Sequence, residues 1–179
     1  MTSKQIPNIA AVKDWWQDAR ANPLFFKSII GAILIAFIDQ ATKYWIVHQV
    51  KLPARRQIDL SGIFDLTYVQ NKGASFGMLA GGMGSRILLS VISLGVALVM
   101  LGWLGRVKSP LVATAISFII GGALGNLYDR VAYGYVIDFL DFSGLYFPWV
   151  FNIADTAINI GVGLLLIDAF INRRKPSEN

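Results

Sequence analysis

Four apolar runs of roughly twenty residues dominate the chain, approximately Lys27 to Val47, Ser85 to Leu104, Pro110 to Tyr128 and Asn152 to Ile171. A helix of about twenty residues crosses the hydrocarbon layer of a bilayer, so each run predicts a membrane-spanning helix. Turn formers bound them: Asn22-Pro23, Gly81-Gly82, Ser109-Pro110 and Pro148. The first run follows a basic segment, as a secretory signal would. It lacks a small-residue cleavage site and precedes three further spans, so it is expected to stay uncleaved. Between the second and first spans the period changes. Phe64, Leu66 and Tyr68 alternate with Asp65 and Thr67, which predicts a strand, and the turn-rich run Asn71 to Gly77 is placed to close a small sheet. Tyr133 to Trp149 is rich in aromatic side chains and is expected to lie along the lipid boundary. Ahead of the first span, Val12, Trp15, Trp16 and Ala19 recur at helical spacing among charged and polar neighbours. Residues 1–26 thus predict an arm, either an interfacial amphipathic helix or a poorly ordered segment.

The fold class expected is an all-α polytopic membrane protein: four spanning helices over residues 27–171, a small β-element outside the membrane, and an outer loop over the site. The outer segments are about 48–84 and 130–151, and residues 172–179 form a basic tail. Composition supports a membrane class, because 55% of the 179 residues are hydrophobic. The formal charge of +5 does not point to nucleic acid, since the basic residues gather at the ends of the apolar runs. An even number of spans puts both termini on one side. Lys13, Arg20, Lys27, Arg106, Lys108, Arg173, Arg174 and Lys175 fall together there, so both termini are expected in the cytoplasm.

Zero cysteines exclude disulfides, thiolate metal sites and a cysteine nucleophile, and with His48 as the single histidine an imidazole-based triad is not expected. What stands out is acidic and amide side chains in or beside the apolar runs: Asp39, Asn126, Asp129, Asp138, Asn152 and Asp155. A carboxylate at a spanning-helix centre costs about 2.5–3.5 kcal/mol on insertion scales, so such residues are usually paired or functional. Asp155 sits one turn inside the fourth span and Asp138 just beyond the third, so neighbouring helices can bring both to one depth. Two carboxylates about 3 Å apart share a proton. One then acts as base on a water and the other as acid toward a scissile carbonyl. The alternative is that each acid caps a helix or pairs with an arginine. Asp129 and Asp141 compete with Asp138; a local ion pair with Arg130 is the simpler use of Asp129. Asp168 lies roughly 20 Å along the helix from Asp155, at the other boundary. Asp39 and Lys43 share a helix face, which favours a structural ion pair, with substrate contact as the alternative. Asn71, Asn126 and Asn152 can orient the acids or bind peptide backbone. Gly121, Gly122, Ala123 and Gly125 predict close helix packing.

Five blocks in order, Asp39-Gln40-Ala41-Thr42-Lys43, Asn71-Lys72-Gly73-Ala74-Ser75-Phe76-Gly77, Gly125-Asn126-Leu127-Tyr128-Asp129-Arg130, Val136-Ile137-Asp138-Phe139 and Phe151-Asn152-Ile153-Ala154-Asp155, resemble lipoprotein signal peptidase (signal peptidase II) over about Ile29 to Gly163. The resemblance implies a membrane aspartic endopeptidase of the bacterial inner membrane, with its active site near the periplasmic face. It would remove the signal peptide from diacylglyceryl-modified prolipoproteins, cutting before the lipidated cysteine. It implies Asp138 and Asp155 as the catalytic pair, with Asn71, Asn126, Arg130 and Asn152 around the substrate and Asp39, Lys43 and Asp129 in support. No metal or organic cofactor is expected; the expected partners are a lipidated precursor and membrane lipids, not nucleic acid, and the protein is expected to be a monomer. Two other classes fit the polar residues less well: a proton-coupled transporter relaying through Asp39 and Asp155, and a membrane scaffold.

Overall fold

A computed structural model describes residues 9–73 and 82–173. Residues 1–8, residues 74–77 of the turn-rich run, Gly81 and the tail from residue 174 lie outside the described residues. The chain folds as α1 (Ile9–Ala21), α2 (Pro23–Tyr44) with a π-helical turn (Trp45–Gln49), α3 (Leu52–Arg55), β1 (Gln57–Asp59), β2 (Asp65–Asn71), α4 (Met83–Leu104), α5 (Pro110–Ala132), β3 (Val136–Asp141), β4 (Val150–Phe151) and α6 (Ile153–Arg173). Four helical stretches are long and apolar enough to cross a membrane: Pro23–Gln49, Met83–Leu104, Pro110–Ala132 and Ile153–Asn172. They coincide with the four runs read from the sequence to within a few residues at most ends.

The helix starts follow from local chemistry. Asn22 accepts the Leu24 N–H at 3.0 Å and Ser109 accepts the Val112 N–H at 3.3 Å, with Pro23 and Pro110 filling the first helical position. Asn22 also donates to the Val107 carbonyl at 2.7 Å, tying the start of α2 to the α4–α5 turn. Helix α1 packs on the same turn: Ala19 is buried and Trp15 donates to the Gly102 carbonyl at 2.9 Å, while Val12 and Trp16 stay exposed.

Helix α5 is the hub. Its apolar window is 67% buried inside the protein, against 22%, 11% and 17% for the other three spans. Those three expose rows of large apolar residues, such as Ile33 and Phe37 on α2, Val91 and Val99 on α4, and Leu166 on α6. Apolar faces of this extent suit a lipid solvent. Small residues on α5 let its neighbours close in: a Cβ at Gly121 would lie 2.7 Å from the Ala32 carbonyl oxygen, and one at Gly122 would collide with that of Ala154.

A four-stranded antiparallel sheet, order β1-β2-β3-β4, covers one end of the bundle. The alternating segment forms β2. Strand β3 was not expected, since Val136–Asp141 was read as part of the aromatic segment along the lipid. All its residues but Leu140 are buried, so both faces are covered and the sequence shows no alternation. Ile137 and Phe139 pack with Ile46 and Leu52 beneath the sheet.

Candidate active site

Helix α6 begins with a reciprocal capping pair. The Asn152 side-chain oxygen accepts the Asp155 N–H at 2.9 Å, and Asp155 Oδ2 accepts the Asn152 N–H at 3.4 Å. Asp155 thus caps its own helix, as one reading of the sequence allowed, and its other oxygen, Oδ1, accepts from Asn126 Nδ2 of α5 at 2.7 Å. Asp138, on β3, is 1% exposed. Its Oδ1 accepts from Asn152 Nδ2 at 2.6 Å and its Oδ2 from Asn71 Nδ2 at 3.0 Å. The Asn71 amide is oriented by the Gly73 N–H, which donates to its oxygen at 2.9 Å from a left-handed backbone (φ 85°) that favours glycine. Asn152 Nδ2 also donates to Asn126 Oδ1 at 3.2 Å. A continuous path therefore runs from Asp138 through Asn152 and Asn126 to Asp155.

Burial, and next the negative charge of Asp155, raise the Asp138 carboxyl from an ordinary 3.8 to about 7. The Asn71 and Asn152 donors and the Lys43 charge oppose that shift without cancelling it. Arg130 donates to the Asn126 carbonyl at 3.3 Å, and its guanidinium interacts electrostatically with Asp155, Asp138 and Asp129.

Beneath this cluster lies a second one. Lys43 Nζ is 2.8 Å from Asp39 Oδ2 and 2.8 Å from Asp129 Oδ2, and all three side chains are buried. It also reaches Asn126 Oδ1 at 3.5 Å. The expected local pairing of Asp129 with Arg130 is thus corrected: Asp129 pairs with Lys43, 86 positions away in sequence (129 minus 43), because its side chain faces α2. Gln40 had been given no role in the sequence, yet its Nε2 donates to Asp129 at 2.8 Å, Asp39 at 3.1 Å and the Gly125 carbonyl at 3.1 Å. Its signal was an amide three residues before Lys43 on the same helix face.

The remaining acids lie elsewhere. Asp141 accepts from Thr67 Oγ1 at 2.6 Å and from the Ser143 N–H at 2.9 Å, and the Thr67 bond is the main cause holding its carboxyl below the usual range. Asp168 accepts from Ser109 and Asn172 at the far end of α6. His48 lies against Tyr44 at a tilt, ring centroids 4.5 Å apart and planes at 41°. Between α2, α5 and the sheet is a cavity of about 620 Å³, walled by Phe37, Tyr44, Leu124 and Tyr128, with Lys43 and Gln40 on its polar side.

Four apolar helices around a buried cluster of acids and amides define a polytopic membrane protein whose polar side chains converge at one end. The family model described as signal peptidase (SPase) II matches residues 31–171, and the chain belongs to that family. It is 46% identical over 144 residues to a lipoprotein signal peptidase of Caulobacter vibrioides, covering 80% of this chain and 85% of the relative. To that of Brevibacillus brevis it is 42% identical over 150 residues, covering 82% and 96%. A bacterial membrane enzyme solved by the in meso method at 2.3 Å superposes with a TM-score of 0.74 at 29% identity, covering 86% of this chain and 93% of the other. The chain is accordingly an aspartic peptidase of the lipoprotein-processing kind and a multi-pass membrane protein.

Proposed function

We propose that this protein removes signal peptides from diacylglyceryl-modified prolipoproteins, cutting before the lipidated cysteine, with Asp138 and Asp155 as its acid–base pair. The observation that carries the reading is the amide path joining these two carboxylates, one from a strand and one from a helix start. Asp138 holds the single shared proton and Asp155 is the base. Asp155 takes a proton from water as its oxygen attacks the scissile carbonyl carbon, and Asp138 gives its proton to the carbonyl oxygen. Collapse of the gem-diol breaks the C–N bond: Asp155 passes its proton to the leaving amine and Asp138 recovers its own. Arg130, Asn71, Asn126 and Asn152 hold the carboxylates and the peptide around them.

The protein acts as a monomer in the bacterial inner membrane, with both termini cytoplasmic and the sheet end periplasmic. The acyl chains occupy the cavity between α2 and α5. Placement of Asp39 against the start of α6, at the level of Asp155, speaks against a proton relay through the membrane, which needs its acids spread along one path. It supports hydrolysis at one boundary instead.

The test is cleavage by purified protein in detergent, with the cut mapped by mass spectrometry. A lipidated precursor should yield a product beginning at the modified cysteine, and the unlipidated precursor should be cut far more slowly. Loss of the Asp138 proton with a pKa of about 7 should make the rate fall on the alkaline side of neutrality. Equal cutting of both precursors, or a rate still rising well above that pH, would contradict the proposal.

The loop between β3 and β4 is read as a cover over the bound precursor. Tyr146 is 98% exposed and Trp149 and Phe147 are also exposed, so these rings lack a full partner surface in the protein alone. Crosslinking this loop to the Gly62 turn, against which Gly144 packs, should slow turnover; an unchanged rate would remove the cover from the mechanism.

A further inference from the structure

Two carboxylates outside the proposed pair each hold the residue immediately before one of its members. Asp39 Oδ1 accepts the Ala154 N–H at 2.9 Å, one residue before Asp155. Asp129 Oδ2 accepts the Ile137 N–H at 3.1 Å, one residue before Asp138. Both carboxylates then converge on one ammonium group, Lys43 Nζ. Through these bonds the start of α6 and strand β3 are both tied to a single buried cation, beneath the direct Asn152–Asp138 hydrogen bond at 2.6 Å. Gln40 braces the same two acids from the side, and Lys43 steadies the Asn126 oxygen, leaving Asn126 Nδ2 to face Asp155.

Stability alone is a poor account of this network. Burying ions costs several kcal/mol each, and a well-packed apolar replacement is often neutral or better. What a rigid, charge-assisted group supplies in addition is position. Proton sharing between two carboxylates depends on their separation, and misplacement by about 1 Å can cost on the order of 10²-fold in rate.

We infer that Asp39, Lys43 and Asp129 act as a caliper that fixes the distance between the Asp138 and Asp155 carboxylates. They are positioning residues, and the inference rests on the catalytic reading above. Lys43→Met strands two buried carboxylates and is expected to unfold the bundle, so the informative variants are Asp39→Asn and Asp129→Asn. Each leaves Lys43 paired with one acid and keeps an oxygen facing the backbone N–H. Each weakens a charge-assisted bond that is roughly twice as strong as a neutral one.

The experiment measures pH–rate profiles on a diacylglyceryl-modified precursor, with thermal melting of every variant. In Asp39→Asn and Asp129→Asn, kcat should fall about tenfold or more with KM nearly unchanged, as for a small displacement of reacting groups. The two apparent pKa values of the kcat/KM profile should also move closer together, because coupling between the carboxylates weakens as they separate. Asp168→Asn, at the far end of α6, should leave the profile unmoved whatever it does to melting. Wild-type limbs in both Asp39→Asn and Asp129→Asn, or losses that merely track the folded fraction, would overturn the caliper. Retained cleavage by Asp138→Asn or Asp155→Asn would instead strike the catalytic reading itself, so the two failures are distinguishable.

Discussion

Replacing Asp138 or Asp155 by asparagine is expected to cut the cleavage rate by about 10³–10⁴-fold, the scale of a positioned acid–base group. The size is unchanged and the loss is one titratable oxygen. Asp155→Asn can keep its carbonyl toward Asn126 Nδ2 and gives up only the longer 3.4 Å bond from the Asn152 N–H, so the bundle should survive. Asp138→Asn is more demanding, because Asn71 and Asn152 both donate to that side chain and an asparagine brings a single acceptor oxygen. One donor then faces an NH₂ group, which costs about 1–3 kcal/mol in a buried place. Melting curves separate that cost from the chemistry, since a folded but inactive variant is the expected result. Asp141→Asn is the matched comparison. Its carboxylate is committed to Thr67 and Ser143, so it should lose some stability and keep most of its rate. An active Asp138→Asn alongside an inactive Asp141→Asn would reverse the assignment.

The spans and the polar residues were legible for the same reason: a bilayer allows few polar side chains, so each one in an apolar run is conspicuous. Pattern also picked out β2, where Leu66 and Tyr68 alternate in sequence with Asp65 and Thr67 and pack on the core beneath the sheet. Strand β3 escaped because it is covered on both faces and carries Asp138 amid Val136, Ile137 and Phe139, a run without period. Partners escaped more generally. The pairing of Asp39 with Lys43 is local and follows from four-residue spacing, but Asp129 meets Lys43 and Asp39 meets the Ala154 N–H only through the packing of α5 and α6 on α2. Gln40 was hidden for a related reason, since an amide gains meaning only when two distant carboxylates are brought to it. Most of the polar residues that cluster could be gathered from the sequence; the wiring between them needed the fold.

Gly122→Ala is expected to be the most damaging change that removes no polar group. The added Cβ would collide with the Ala154 carbonyl oxygen and lie 2.8 Å from Ile158 Cγ1, and a backbone atom has no rotamer by which to yield. Helix α6 must move away from α5 at the turn that presents Asp155 and receives the Asp39 bond. Overpacking of this kind costs typically about 1–3 kcal/mol. A displacement near 1 Å at the carboxylates adds a rate loss of roughly 10²-fold in the protein that remains folded. Gly125→Ala should act at the same level by another route, since its Cβ would sit 2.6 Å from Asp39 Oδ2 and press on the carboxylate that holds α6. Gly95→Ala supplies the contrast: nothing lies within 4 Å of a Cβ there, and alanine is the better helix former, so melting should hold or rise with activity intact. Measured together by thermal melting and turnover, the three variants tie rate to the approach of α6 on α5. Full activity in Gly122→Ala would mean that the start of α6 can shift without moving Asp155, and the close packing of these helices would then have no bearing on the chemistry.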